Sequence, residues 1–222
     1  MSASHPPRGL GLLHLATLLV PVALVLTAVR ILLTPAYLQL AYRLPGFPRD
    51  PYGMTFEDRL YWAEKARQYL LRPVDIDFLA ELRFNDGTPV FNVRELAHME
   101  DVKRVVQGSL RTWYAALAGL ALLGLWARRR GRWTAFRQAL HRGGWLTLIL
   151  MGLMALAVVA AFGVFFVAFH QVFFEPGTWV FDYRDTLIRL FPERFWQDVF
   201  LIGALLTVVM ALVLLYVTRA EK

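Results

Sequence analysis

The feature that most constrains this chain is a set of four stretches from which every charge is missing: residues 9–29, 112–127, 143–174 and 199–218. A helix needs about 20 apolar residues to cross roughly 30 Å of hydrocarbon. Three of the runs meet that length. The run at 112–127 meets it when Arg111 extends its stem along the bilayer edge. With 57% hydrophobic and only 18% charged residues, and a mean hydropathy of +0.45, the chain is far more apolar than an ordinary soluble domain. These runs predict a mainly α, polytopic membrane protein forming a single membrane domain over 1–222. Its spans fall at 9–33, 112–127, 143–170 and 197–218. The first run follows Arg8, as a signal peptide would, but it exceeds the usual h-region of about 7–15 residues. "LTPAYLQLAY" also offers no small-x-small cleavage site, so the run is read as a retained helix.

Charge orients the spans. The net charge of +7 is concentrated in "RRRGRWTAFRQALHR" (128–142), which carries six Arg and no acid. Residues 43–111 carry eleven basic and eleven acidic residues, and 175–198 carry three Arg against five acids. The positive-inside rule places 128–142 in the cytoplasm, together with both termini, and places 34–111 and 171–196 outside. A basic stretch this short, clamped between two spans, is a poor nucleic-acid surface, and no nucleic-acid partner is expected.

Residue types exclude several chemistries. The chain has no cysteine, which removes disulfides, thiol nucleophiles and thiolate metal ligands. Serine occurs only at Ser2, Ser4 and Ser109, with no G-x-S-x-G elbow, and the first two fall on the cytoplasmic tail. Acyl chemistry outside the membrane would run without a covalent serine or cysteine intermediate.

The outer segment reads as α+β: two surface helices and a hairpin. "TFEDRLYWAEKARQYLL" has a Thr55/Asp58 start signal, apolar residues at helical spacing, and an end at Arg72–Pro73. "ELRFNDGTPVFN" predicts a hairpin turning at Asn85-Asp86-Gly87. "NVRELAHMEDVKRVVQG" predicts a second surface helix, opened by Asn92 with Glu95 three residues on and closed at Gly108. After the third span, "EPGTWVFDYRDTLIRLFPERFW" returns along the surface with Trp179, Phe181, Tyr183 and Trp196 as interfacial aromatics.

Histidines sort by side. His5 and His141 fall on the cytoplasmic face, and His14 lies within the first span; only His98 and His170 fall outside. His98 has Glu95 three residues before it and Asp101 three after, on or near one helical face. A carboxylate there would fix the imidazole tautomer and raise its basicity. A solvated charged face explains the same spacing, and such faces are the commoner case. His170 lies 25 residues beyond Trp145, about 37 Å along a straight helix, which places it at headgroup and ester depth. Taken alone it is equally well an interfacial residue tolerated among phenylalanines or a functional one. Two histidines with Glu95, Asp101, Asp182 or Asp185 would suffice for zinc, but no H-x-x-x-H or H-E-x-x-H pair exists.

"YGMTFEDRLYWAEKARQYL", "FNVRELAHMEDVKRVV" and "FHQVFFEPGTWVFDYRDTLIRLFPERFW" together resemble the bacterial lipoprotein intramolecular transacylases, over roughly 52–107 and 169–196. The resemblance implies an enzyme that moves the sn-2 acyl chain of a diacylglyceryl-modified lipoprotein to the α-amine of its N-terminal cysteine. The product is the lyso-form, made without a cofactor or a metal. It implies a bacterial cytoplasmic membrane protein whose site faces the outer leaflet, with diacylated lipoprotein and membrane lipid as partners. The family's two motif histidines fall on His98 and His170. On that reading Asn92, Glu95 and Asp101 orient the first histidine, while Trp179 and Asp185 shape the opposite wall. A zinc-dependent membrane hydrolase and a non-catalytic membrane scaffold remain the alternatives from other classes.

Overall fold

The computed structural model describes residues 10–174 and 177–219, with the side chains of 10 and 157–159 left aside. His5, Ser2, Ser4 and Glu175 lie outside the described residues. The elements are α1 (Leu10–Leu32), α2 (Pro35–Ala41), α3 (Phe56–Leu71), α4 (Asp77–Ala80), α5 (Val93–Arg129), α6 (Trp133–Phe173), α7 (Thr186–Leu190) and α8 (Glu193–Thr218). Among the described residues, four helices are long and apolar enough to cross a membrane: Gly11–Leu32, Val93–Arg129, Trp133–Leu156 and Glu193–Thr218. Leu18, Leu122, Leu153 and Leu205 stand exposed on them, which suits a hydrocarbon solvent and would be costly in water. The protein is a mainly α, multi-pass membrane protein.

Four local expectations are corrected. The helix that begins after Asn92 does not stop at Gly108. It continues to Arg129, because Gly108 keeps a right-handed backbone and no proline or turn residue follows to break the run. The glycine that ends this helix is Gly131 (φ 65°), where Arg132 N–H donates to Ala127 O (2.7 Å) and Gly131 N–H to Arg128 O (3.2 Å), a Schellman closure. The basic stretch 128–142 is therefore a turn at 130–132 followed by the first turns of α6, rather than an open loop. The run 143–170 is not one straight helix: Ala161 has φ −160° and ψ 69°, which breaks α6. The length count from Trp145 to His170 assumed a straight rod and does not apply.

The hairpin reduces to a single antiparallel bridge, Arg83 to Pro89, and no strand forms among the described residues. Its turn is well made. Gly87 adopts φ 83°, and Asp86 Oδ1 accepts from Thr88 N (2.9 Å) and Thr88 Oγ1 (2.6 Å). The ladder stops because Pro89 has no N–H to give, and the chain enters α5 four residues later.

The chain divides into two compact units. The first comprises Met1–Val29, Leu110–Leu156 and Ile202–Lys222. Its core is Ala16, Ala127, Phe136 and Ala139, with Leu13, Leu120, Leu123, Trp126 and Leu140 packed around it. Small residues let helices approach closely, as they do in membranes generally. A Cβ on Gly143 would lie 2.6 Å from Val20 Cβ and 2.9 Å from Thr17 O on α1, and one on Gly144 would lie 2.9 Å from Leu215 Cδ2 on α8. Thr17 Oγ1 donates to Ala139 O (3.0 Å), and Trp113 Nε1 to Thr27 Oγ1 (3.0 Å). His141 is half-buried, with Nδ1 3.2 Å from Thr218 Oγ1.

The second unit comprises Arg30–Ser109 and Ala157–Leu201. Here α3 carries the capping box expected from its sequence. Thr55 Oγ1 accepts from Asp58 N, Asp58 Oδ2 accepts from Thr55 N, and the extended Arg72 ends the helix. Helix α3 packs on α2, α4 and α7. From its buried face Arg59 donates to Arg189 O (2.9 and 2.6 Å) and to Pro48 O (2.7 Å), while Arg189 holds Asp50 through two bonds of 2.9 Å.

Candidate active site

The site is built within the second unit from the start of α5, the end of α6 and the segment before α7. Asn92 caps α5. Its Oδ1 accepts from Glu95 N (3.0 Å), and Glu95 Oε2 accepts from Asn92 N (2.8 Å). The other Glu95 oxygen, Oε1, accepts from Leu187 N (2.6 Å) in α7. One carboxylate, 1% exposed, thus closes the first turns of two helices. Asp185 completes the tie, accepting from Asn92 Nδ2 and Arg94 Nη2 (2.8 Å each) and from Asp182 N (2.8 Å). Residues at 92–95 and 182–187, far apart in the chain, are fixed against each other.

This framework sets His98, one turn along α5 from Glu95, beside His170 on α6. The two rings lie 6.3 Å apart between centroids, inclined by 17°, and are 9% and 8% exposed. Phe174 (4.9 Å) and Phe181 (5.2 Å) flank the His98 ring. Phe166 (4.1 Å), Trp179 (4.7 Å) and Phe174 (5.4 Å) surround His170. His170 Nδ1 lies 2.8 Å from Phe166 O. A carbonyl can only accept, so Nδ1 carries the hydrogen and the neutral ring presents a lone pair at Nε2. His98 Nδ1 is buried with no hydrogen-bond partner among the described residues.

The structure brings His98, His170 and Trp179 together and places Asn92, Glu95 and Asp185 behind them as a tie between helices. Two expectations about orientation are corrected. Glu95 does not orient the His98 imidazole directly, because both its oxygens accept backbone N–H groups. Asp101 is ion-paired with Arg104 one turn on and acts on His98 through its charge rather than as a direct orienting partner. Arg94 is not singled out by the sequence, whereas the phenylalanines around His170, Phe166 and Phe174 among them, read there only as a general apolar wall. Only the excess of acid over base at 175–198 hinted that a cation would pair there. Among the described residues, no group of three or more His, Asp or Glu side chains gathers as a metal-ligand set, which leaves the zinc reading without a donor set there.

The model of one protein family, lipoprotein intramolecular transacylase Lit, matches residues 14–196. A protein of Aquifex aeolicus (strain VF5), described as uncharacterized, is 29% identical over 187 residues, covering 84% of this chain and 83% of that one. Among solved structures, the membrane-integral lipoprotein intramolecular transacylase Lit from Bacillus cereus superposes with a TM-score of 0.65 at 18% identity, covering 93% of this chain and 92% of that one. A histidine-to-alanine variant of that protein superposes with a TM-score of 0.61, at 18% identity, over 94% and 90% of the two chains. The fold is shared with these structures, and the match over 14–196 spans most of the sequence, so the chain belongs to the lipoprotein intramolecular transacylase family and is an integral membrane acyltransferase.

Proposed function

We propose that this protein transfers the sn-2 acyl chain of a diacylglyceryl-modified lipoprotein to the α-amine of the lipoprotein's N-terminal cysteine, with His98 and His170 as the acid–base pair. The observation that carries this reading is the approach of the two rings to 6.3 Å inside an aromatic wall. Donor ester and acceptor amine belong to one substrate, so holding them together replaces a covalent carrier. This agrees with a chain that has no cysteine and few serines.

His170 is the base. Its Nδ1–H is anchored on Phe166 O, which fixes the ring and leaves Nε2 as the acceptor for a proton of the neutral amine. The amine attacks the ester carbonyl carbon and loses a proton to His170. The carbon–oxygen bond to the sn-2 position then breaks, and that oxygen receives the proton taken up by His170, relayed through the His98 ring, so that both histidines end neutral. The products are an amide and a free hydroxyl, with no net proton gained or lost. Phe166, Phe174 and Phe181 keep water from the tetrahedral centre and give the acyl chain an apolar seat.

The test is replacement of each histidine by alanine, with mass spectrometry of the N-terminal peptide of a reporter lipoprotein. Each variant should lower lyso-form production by about 10²–10⁴-fold, the range for a positioned acid–base group. Wild-type rates from either variant would sink the two-histidine mechanism.

A further inference from the structure

Buried side-chain polar atoms without a hydrogen-bond partner, among the described residues, are Tyr37 Oη, His98 Nδ1 and Trp179 Nε1. Two of these belong to rings beside His170. An indole N–H can only donate, and a buried donor with nothing to receive it is disfavoured unless a ligand provides the acceptor. Asn92 Nδ2 and Arg94 Nη2 nearby both go to Asp185. Trp179 follows Gly177, whose φ of +87° makes the turn that leads the indole back to the His170 ring at 4.7 Å.

Acyl transfer needs such a donor. When the amine nitrogen bonds to the ester carbon, the carbonyl π pair moves to oxygen and leaves an oxyanion beside the base. We propose that the Trp179 Nε1–H donates a hydrogen bond to the carbonyl oxygen of the acyl group in transfer and holds it as the oxyanion forms. This rests on the acyl-transfer reading above. No proton leaves the indole. The oxyanion collapses, the carbonyl re-forms, and the pair departs on the sn-2 oxygen. An apolar wall strengthens a single bond of this kind, because water does not compete for the oxygen.

The experiment uses the full-length protein in lipid nanodiscs with a synthetic diacylated lipopeptide, following N-acyl product by mass spectrometry. Trp179 is replaced by phenylalanine and, by genetic code expansion, by 3-benzothienylalanine, which keeps the bicyclic shape and puts sulfur where the N–H was. His98→Ala and His170→Ala run alongside. The expected result is a fall in kcat of about 10²–10³-fold in both Trp179 variants with KM little changed, the signature of a lost oxyanion donor. The isostere should retain the wild-type melting temperature. A benzothienyl variant with near-wild-type kcat, or one whose loss appears wholly in KM, overturns the donor role. With the histidine variants inactive, that outcome leaves the acyl-transfer reading standing. A wild-type protein that forms no N-acyl product overturns both.

Discussion

At the scale of single residues, Glu95 shows how one side chain can be spent on architecture beside a reacting centre. Both of its oxygens accept backbone N–H groups, one from Asn92, the cap of α5, and one from Leu187 in α7, and it is almost wholly buried. Glutamine has the same shape but only one acceptor oxygen, so its NH₂ must face an N–H donor. Glu95→Gln should therefore lower thermal stability by about 1–3 kcal/mol, the cost of leaving a buried polar group unpaired. It should also slow acyl transfer without abolishing it, because His98 sits one turn away on the helix that loses its cap. Calorimetry and the lipopeptide assay on the same preparation check both parts. A fully inactive Glu95→Gln that melts like the wild type would contradict the positioning role and favour direct participation.

At the scale of elements, α7 is the critical piece, because five residues cannot hold a helix by themselves. It is tethered from outside: Glu95 holds Leu187 N, Arg59 holds Arg189 O, Tyr42 Oη donates to Leu190 O (2.5 Å), and Asp50 grips the Arg189 guanidinium. Burial works to raise the Asp50 carboxyl. The Arg189 hydrogen bonds, with the N–H groups of Met54 and Tyr52, more than offset it and hold the carboxyl below its ordinary value. A carboxyl lowered on folding stabilises fully above the ordinary carboxylate range, and that contribution disappears as pH falls through the lowered value. Asp50→Asn should cost about 2 kcal/mol at neutral pH, the scale of a lost hydrogen bond to a charged group. The gap between wild type and variant should narrow as the pH is brought down through the ordinary carboxylate range and below it. Thermal melts across that range check the sign: a gap that stays constant or widens in acid would rule out Asp50 ionisation as its source.

At the scale of the whole molecule, the proposed topology has the Arg-rich end in the cytoplasm and the histidine pair on the outer side. The absence of native cysteine makes this directly testable. Asn85→Cys, on the exposed turn, should react with a membrane-impermeant maleimide in intact spheroplasts. Arg130→Cys, exposed at the turn between α5 and α6, should react only after lysis. The reverse pattern would invert the protein and place its chemistry at the cytoplasmic leaflet.

Much of this was legible in the sequence. Four apolar runs made the membrane class unavoidable, since a bilayer accepts only backbone that satisfies its own hydrogen bonds. The start signals at Thr55 and Asn92 act within a single helical turn, so residues three apart were enough to read them. Sorting histidines by side singled out His98 and His170. What sequence reading missed depends on contacts across long stretches of chain. Gly108 has the composition of a stop but lies within a continuing helix, whereas Gly131 adopts the left-handed turn. Glu95 and Asp101 both lie three residues from His98. Only the fold decided that one would hold α7 and the other would turn to Arg104, because the partners that compete for a carboxylate come from tertiary packing. The same holds for the aromatic wall: Phe166 and Phe174 lie one turn either side of His170, but their meeting with Phe181, Trp179 and the His98 ring exists only once the helices are packed.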